Sequence, residues 1–394
     1  MKKAFLLILL FLICKSIIAQ NNHPAKKIVV FTPIFLDSAF NDNNFKITNY
    51  TLPKNMLPGL DFYHGVMLAI DSLQVDHANI EVTIIDSKNS KEPIATVLAK
   101  PMWDSVSLII ASFKERSEIK PLADFALLKK IPLISATLPN DGGITDNPYF
   151  ILLNPTLQTH TQELYKFLQK NYSTYNIVYV KRIGNLENMI QNIFTEMGKN
   201  PLFIPLKFKT VELTDSFTAK QLLVALDSNK NNIVFCGSIQ EDFGIRLVNT
   251  LQTNKRYNAV AVGMPTWDGI KEFNKPAALD ATSKGIEIIY SSPYNFSRTE
   301  KIGLALTNKY KENYGARPSD WVFKGYECMY HFTSLLLKYD TAFLKHLSNK
   351  NAKIFNDFDI QSIQLKKDVP SINYLENKKL YFIKKQDGVV KNVQ

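Results

Sequence analysis

Short apolar runs rich in β-branched residues alternate along this chain with longer stretches in which apolar positions recur every three or four residues. Lys27 to Phe35 predicts a first strand. In Leu60 to Leu73 the residues Phe62, Gly65, Val66, Ala69 and Ile70 then share one helical face. The alternation continues with strands at Ile80–Ile85, Val106–Ala111 and Ile131–Ser135, and helices at Pro93–Lys100 and Ser117–Lys129. After Phe150–Leu153 it restarts: helix Gln158–Gln169, strand Asn176–Val180, helix Leu186–Met197, strand Leu202–Phe208, helix Thr218–Leu226, strand Asn231–Cys236, helix Gln240–Leu251 and strand Asn258–Gly263. The tail differs. Two substantial helices, Arg298–Tyr314 and Asp320–Tyr339, precede short strands at Gln361–Leu365 and Lys379–Lys384, the latter ending at Asp387-Gly388. The polar, asparagine-rich stretch Asp37–Lys54 reads as a long loop.

Strands spaced by helical stretches imply right-handed crossovers and parallel sheets covered on both faces. Unbroken apolar runs such as Leu108-Ile109-Ile110-Ala111 fit sheets buried on both sides. The strands are too many for one compact sheet, and the restart near Asn154-Pro155 predicts a second. The expectation is an α/β fold of two doubly wound parallel-sheet lobes joined by crossing strands. Residues 26–153 plus 291–340 are assigned to lobe one, and 154–290 plus 341–394 to lobe two.

Residues 1–20 change the compartment. Met1-Lys2-Lys3, an apolar run from Ala4 to Ile13 and then Cys14 to Gln20 make a secretory leader, with cleavage expected near Ala19 or Gln20. Ten apolar residues are too few to cross a bilayer core about 30 Å thick. Bulky Ile13 argues against lipid attachment at Cys14. The expected location is periplasmic. Three of the +11 formal charges belong to Lys2, Lys3 and Lys15, and the other basic residues are scattered, as at Lys129-Lys130 and Lys366-Lys367. No arginine-rich block or nucleic-acid signature is present, so a solvated surface is the simpler reading. Beyond the leader only Cys236 and Cys328 remain, each inside an apolar pattern: two buried thiols by default, with a bridge possible in principle.

Signals for catalysis are weak. The sequence has no G-x-S-x-G elbow, no H-E-x-x-H and no Walker loop. The six histidines lack ligand spacing, so no metal or other cofactor is expected. Glu241-Asp242 reads as a pair of helix-start charges.

The ordered motifs do resemble a known family. Phe62-Tyr63-His64-Gly65-Val66-Met67-Leu68-Ala69-Ile70-Asp71, Leu108–Ser112 followed by Ser117, and Ile131-Pro132-Leu133-Ile134-Ser135-Ala136-Thr137 are similar to segments of the type I periplasmic binding proteins. That is the family of the leucine/isoleucine/valine receptors of ABC transporters. Asn147–Phe150 with Asn154–Thr156 resembles the first crossing between lobes, and Gly285–Pro293 the return crossing. Lys309–Gly315 with Pro318-Ser319-Asp320 and Gly325-Tyr326-Glu327 resembles the family's late signature. The "F-Y-x-G-x-x-L-A-x-D-S-L" form is also similar to Bacteroidetes envelope proteins, some of which carry peptidoglycan-binding modules.

The resemblance implies a small-molecule ligand held between the lobes and a membrane permease as partner. Peptidoglycan or protein binding by a non-transport envelope protein is the rival reading. By position, Ser117, Ser135, Ala136 and Thr137 would grip an α-carboxylate; alternatively, Ser117 caps a helix and Ser135 and Thr137 satisfy a turn. Strand-end and helix-start N–H groups favour anions independently of any family. Lobe two would add Asn185, Ser238 and Trp267, the last as a cleft aromatic or a packing residue. Asn154, Pro155, Ser291 and Ser292 would form the hinge. Two departures stand out: Ala111-Ser112 replaces the usual glycine-proline, and Lys114-Glu115-Arg116 fills a loop usually built of small residues. Arg116 suits a ligand with an extra acidic group, or is a solvated loop charge.

Overall fold

The computed structural model describes residues 24–41, 44–46, 51–199, 204–275, 284–295, 297–364 and 371–393. The leader lies outside them.

The first sheet begins with β1 (Lys26–Thr32), whose Ile28 to Phe31 are at most 1% exposed. Burying each such side chain contributes about 1.5–3 kcal/mol. β2 (Ile80–Asp86), β3 (Val106–Ala111), β4 (Leu133–Ser135) and β5 (Phe150–Leu152) join it in parallel. The second sheet holds β6 (Asn176–Arg182), β7 (Lys209–Leu213), β8 (Asn232–Cys236), β9 (Ala259–Gly263) and β10 (Glu287–Ser292), again parallel. Two expected lobes are present.

Each sheet is covered on both faces. In lobe one α1 (Leu57–Val75), α8 (Lys301–Tyr314) and α9 (Asp320–Tyr339) pack on one face, with α2 (Ile94–Leu98) and α3 (Ile119–Lys129) on the other. In lobe two α4 (Leu157–Tyr172) and α5 (Asn185–Gly198) oppose α6 (Ala219–Leu223) and α7 (Glu241–Gln252). α1 and α9 touch backbone to backbone. A Cβ on Gly65 would lie 2.0 Å from the Val322 carbonyl oxygen, and one on Gly325 would lie 2.1 Å from that of Phe62.

The tail corrects the domain assignment. Residues 341–394 were expected in lobe two, but they divide. Phe343, Leu347, Ile354, Phe355 and Phe358 pack into the lobe-one core, and β11 (Ile360–Ile363) and β12 (Tyr374–Asn377) extend the first sheet, β12 pairing parallel to β5. The chain then crosses a third time. β13 (Tyr381–Gln386) and β14 (Val389–Val393) extend the second sheet, β13 antiparallel to β10. The resulting orders are β11-β12-β5-β4-β3-β1-β2 and β14-β13-β10-β9-β8-β6-β7. Asp387 and Gly388, both at positive φ (51° and 76°), make the tight turn of the last hairpin.

The strand expected at Leu202–Phe208 forms instead at Lys209–Leu213. This is an edge strand exposed on one side, so an alternating pattern suffices; residues 204–208 carry no strand, and Leu202 and Phe203 lie outside the described residues. The loop expected at Asp37–Lys54 contains one helical turn, Leu36–Ala39, and a two-residue pairing of Phe40–Asn41 with Asn44–Phe45. Cys236 and Cys328 are free and buried, one in each lobe.

Candidate functional site

Open α/β sheets hold ligands beyond the carboxyl ends of their parallel strands. Backbone N–H groups at such ends attract anions, and here the chain supplies the anions itself. Asp86, at the end of β2, accepts from the backbone N–H groups of Ile34 (2.9 Å), Phe35 (3.1 Å), Leu36 (2.8 Å) and Lys88 (3.0 Å). Phe35 sits at φ 62°, a left-handed conformation uncommon for a residue with a Cβ, within this cradle. In the loop after β3, the Glu118 carboxylate accepts from the N–H groups of Lys114 (2.7 Å) and Glu115 (2.9 Å). The Lys88 ammonium lies 2.8 Å from Glu118 and 2.9 Å from Glu115.

Of the four residues expected as the lobe-one carboxylate grip, Ser135, Ala136 and Thr137 are buried and Ser117 is exposed. Ser135 is fully buried, and the Thr137 hydroxyl is taken by Ser112 (3.1 Å), itself 2% exposed. Ala136 is buried, and its carbonyl accepts from the Tyr294 hydroxyl at 2.9 Å. Ser117 is exposed within the 3-10 turn Arg116–Glu118, whose capping box is formed by Glu115 and Glu118, and the helix that follows has no side-chain cap.

Lobe two repeats the pattern. Glu187 in the first turn of α5 is 2% exposed and accepts from Ser238 Oγ at 2.7 Å, with Arg182 at 3.6 Å. Arg182 also binds Asp215 through two nitrogens, at 2.6 and 2.9 Å. Asn185 begins the helix and is exposed. Trp267 is not a cleft aromatic: it is fully buried, and its ring fills the space left by Gly263 and Gly244 and meets Phe273. A five-residue 3-10 turn after β9 folds the indole inward. The packing alternative is the one observed.

At the rear the chain crosses between lobes. Asn154 donates to the Thr137 carbonyl at 2.6 Å. Ser291 Oγ is 2.8 Å from His160 Nδ1; both are buried, and burial pushes His160 down to about 3. Ser292 Oγ accepts from the Tyr294 N–H at 3.2 Å. Sequence reasoning missed the third crossing and its lock. The Glu376 carboxylate, 1% exposed, accepts from Thr156 N–H (2.8 Å), Thr156 Oγ1 (2.9 Å) and Thr159 Oγ1 (2.8 Å) at the start of α4, and pairs with Lys378 at 2.7 Å. Buried Glu327 accepts from the N–H groups of Phe355 (2.8 Å) and Asn356 (2.7 Å); burial pushes its acid up to about 6.

On the hinge-side floor, α9 presents Trp321 and Lys324, missed at the sequence level. Lys324 Nζ lies 4.1 Å from the Tyr294 ring centre and 4.8 Å from that of Trp321. Asp268 faces them from lobe two, accepting from the Tyr290 hydroxyl at 2.7 Å. Their sequence signal was only proximity to the crossing and to the Ser319 helix cap.

Among the described residues no group of three or more His, Cys, Asp or Glu could hold a metal ion, and no helix is long and apolar enough to cross a membrane.

No family model and no curated protein matches the chain. Solved structures do. A putative branched-chain amino acid ABC transporter protein from Rhodospirillum rubrum superposes with a TM-score of 0.65 at 9% identity, over 94% of this chain and 100% of that one. The fold is that of the type I periplasmic binding proteins. An ABC transporter substrate-binding protein from Desulfitobacterium hafniense, in complex with Leu, gives 0.57 at 12% identity over 94% and 100%. The branched-chain amino acid transporter substrate binding protein of Streptococcus pneumoniae, in complex with isoleucine, gives 0.51 at 13% over 94% and 99%. These type I neighbours are binding proteins rather than enzymes.

Proposed function

We propose that the chain is a non-enzymatic, extracytoplasmic solute receptor. It closes its two lobes around a small polar molecule, an amino acid or related compound, and passes it to an ABC-type membrane permease. The observation that carries this reading is that structures holding leucine and isoleucine share the fold over 94% of this chain. The leader-like start at Met1-Lys2-Lys3 supports export, and exposed Ser117 in the turn after β3 and Asn185 at the start of α5 are proposed as polar contacts. Closure needs a ligand that touches both lobes, because only differential contact shifts a two-state equilibrium.

The test is a thermal-shift and calorimetric screen of residues 24–394 against the common amino acids and short peptides. At a hundredfold excess over Kd one ligand should stabilise by about 2.7 kcal/mol, a shift of several degrees. No shift with any member of the panel would remove this function.

A further inference from the structure

The strand-tip N–H groups that ordinarily attract a ligand's acid are already filled by Asp86 and Glu118 in lobe one, while Glu187 holds the corresponding end of lobe two. Those carboxylates occupy the backbone N–H groups of Ile34, Phe35, Leu36, Lys88, Lys114 and Glu115 and the Ser238 hydroxyl. The cations along the same rim are also matched: Lys88 by Glu115 and Glu118, Arg182 by Asp215 and Glu187.

Lys324 is different. It is partly buried, projects from the second turn of α9 toward the crossing strands, and makes no hydrogen bond or ion pair among the described residues. The carboxylates near it have other partners: Asp320 pairs with Arg298 at 3.7 Å, and Asp268 accepts from Tyr290. Burial holds the Lys324 ammonium below the ordinary lysine value, even with Asp320 and Asp268 acting the other way. Two ring faces stabilise a cation by only about 0.5–2 kcal/mol, whereas a charge-assisted hydrogen bond is short, strong and directional. The Tyr294 ring cannot swing aside freely, because its hydroxyl is tied to the Ala136 carbonyl. What results is a partly buried cation flanked by the Tyr294 and Trp321 rings, with Asp268 of lobe two within electrostatic reach.

We propose that Lys324 is the anion-binding residue of the cleft: the solute is a small amino acid or organic acid whose carboxylate is held on the hinge side, and not at the loop after β3. This rests on the solute-receptor reading above and names the group that sets its specificity.

The experiment measures binding of L-leucine, L-glutamate and their carboxamide counterparts, leucinamide and glutamine, to residues 24–394 and to Lys324→Met. A carboxylate ligand that binds the native protein should lose at least tenfold in affinity in Lys324→Met. Converting the carboxylate that Lys324 holds to its amide should cost the native protein a similar factor and the variant little. Lys324→Gln is made in parallel, so that a packing defect is not mistaken for loss of charge, and the unliganded melting temperature of both variants should be equal to or above that of the native protein. Binding within twofold of native in both variants would overturn the role of Lys324 and leave the receptor function standing. Failure of every panel member to bind the native protein would overturn both.

Discussion

The rim of the cleft and its hinge side use the same chemistry to opposite ends. At the rim, Asp86, Glu118 and Glu187 accept from groups of their own lobe, so each strand tip is closed on itself. At the hinge, Glu376 stands on lobe one and accepts from the first residues of a lobe-two helix. A carboxylate on backbone N–H groups is a stapling device in both places; what differs is whether the staple joins one body or two.

Breaking the hinge staple should have the largest effect. Glu376→Ala strips three donors of their acceptor and leaves Lys378 uncompensated, at a cost of about 4 kcal/mol in chemical denaturation. A loss under about 1 kcal/mol would place the hinge among ordinary surface contacts.

Acid should act next. Burial holds His160 at about 3 and His331 at about 4 when folded, against an ordinary value of 6.5, so the unfolded chain binds more protons below that pH. Their contribution is complete above pH 6.5 and is lost as pH falls toward 4. Glu327, raised to about 6, works in the opposite sense between pH 6 and 4.5. At 1.36 kcal/mol per pKa unit the three groups together cost on the order of 3 kcal/mol between pH 7 and 4.5. His160→Gln should remove about half of the histidine contribution in a pH series of unfolding curves.

The rim staple should be the weakest. Glu118→Ala is expected to cost about 1–2 kcal/mol, since the freed N–H groups of Lys114 and Glu115 can reach water. Added acetate should restore melting temperature in that variant and not in the native protein. Equal response of the two would mean that the loop N–H groups are not an anion seat.

The two wound sheets were legible because Ile28–Phe31 and Leu108–Ala111 are apolar without interruption, which only a doubly covered strand needs. The weave of the tail was not. β11 and β12 are short, and the polar Glu376 and Asn377 within β12 are buried because of partners from residues more than 200 positions away. The burial of two expected site residues was hidden for a related reason. Trp267 on a loop and Ser135 at a strand tip look accessible until the turn that follows β9, or the neighbouring strands, bury them. Lys324 reads as one more lysine on a helix, and its lack of an ion pair among the described residues is evident only in three dimensions.

The third crossing also bears on how this molecule is made. Until residues 371–393 emerge, β5 and β10 each present an unpaired edge, and such edges template pairing with other chains. Neither lobe can finish as an independent unit during synthesis, so completion of both is deferred to the same last segment. That delay keeps the chain incompletely locked until its last strands are made.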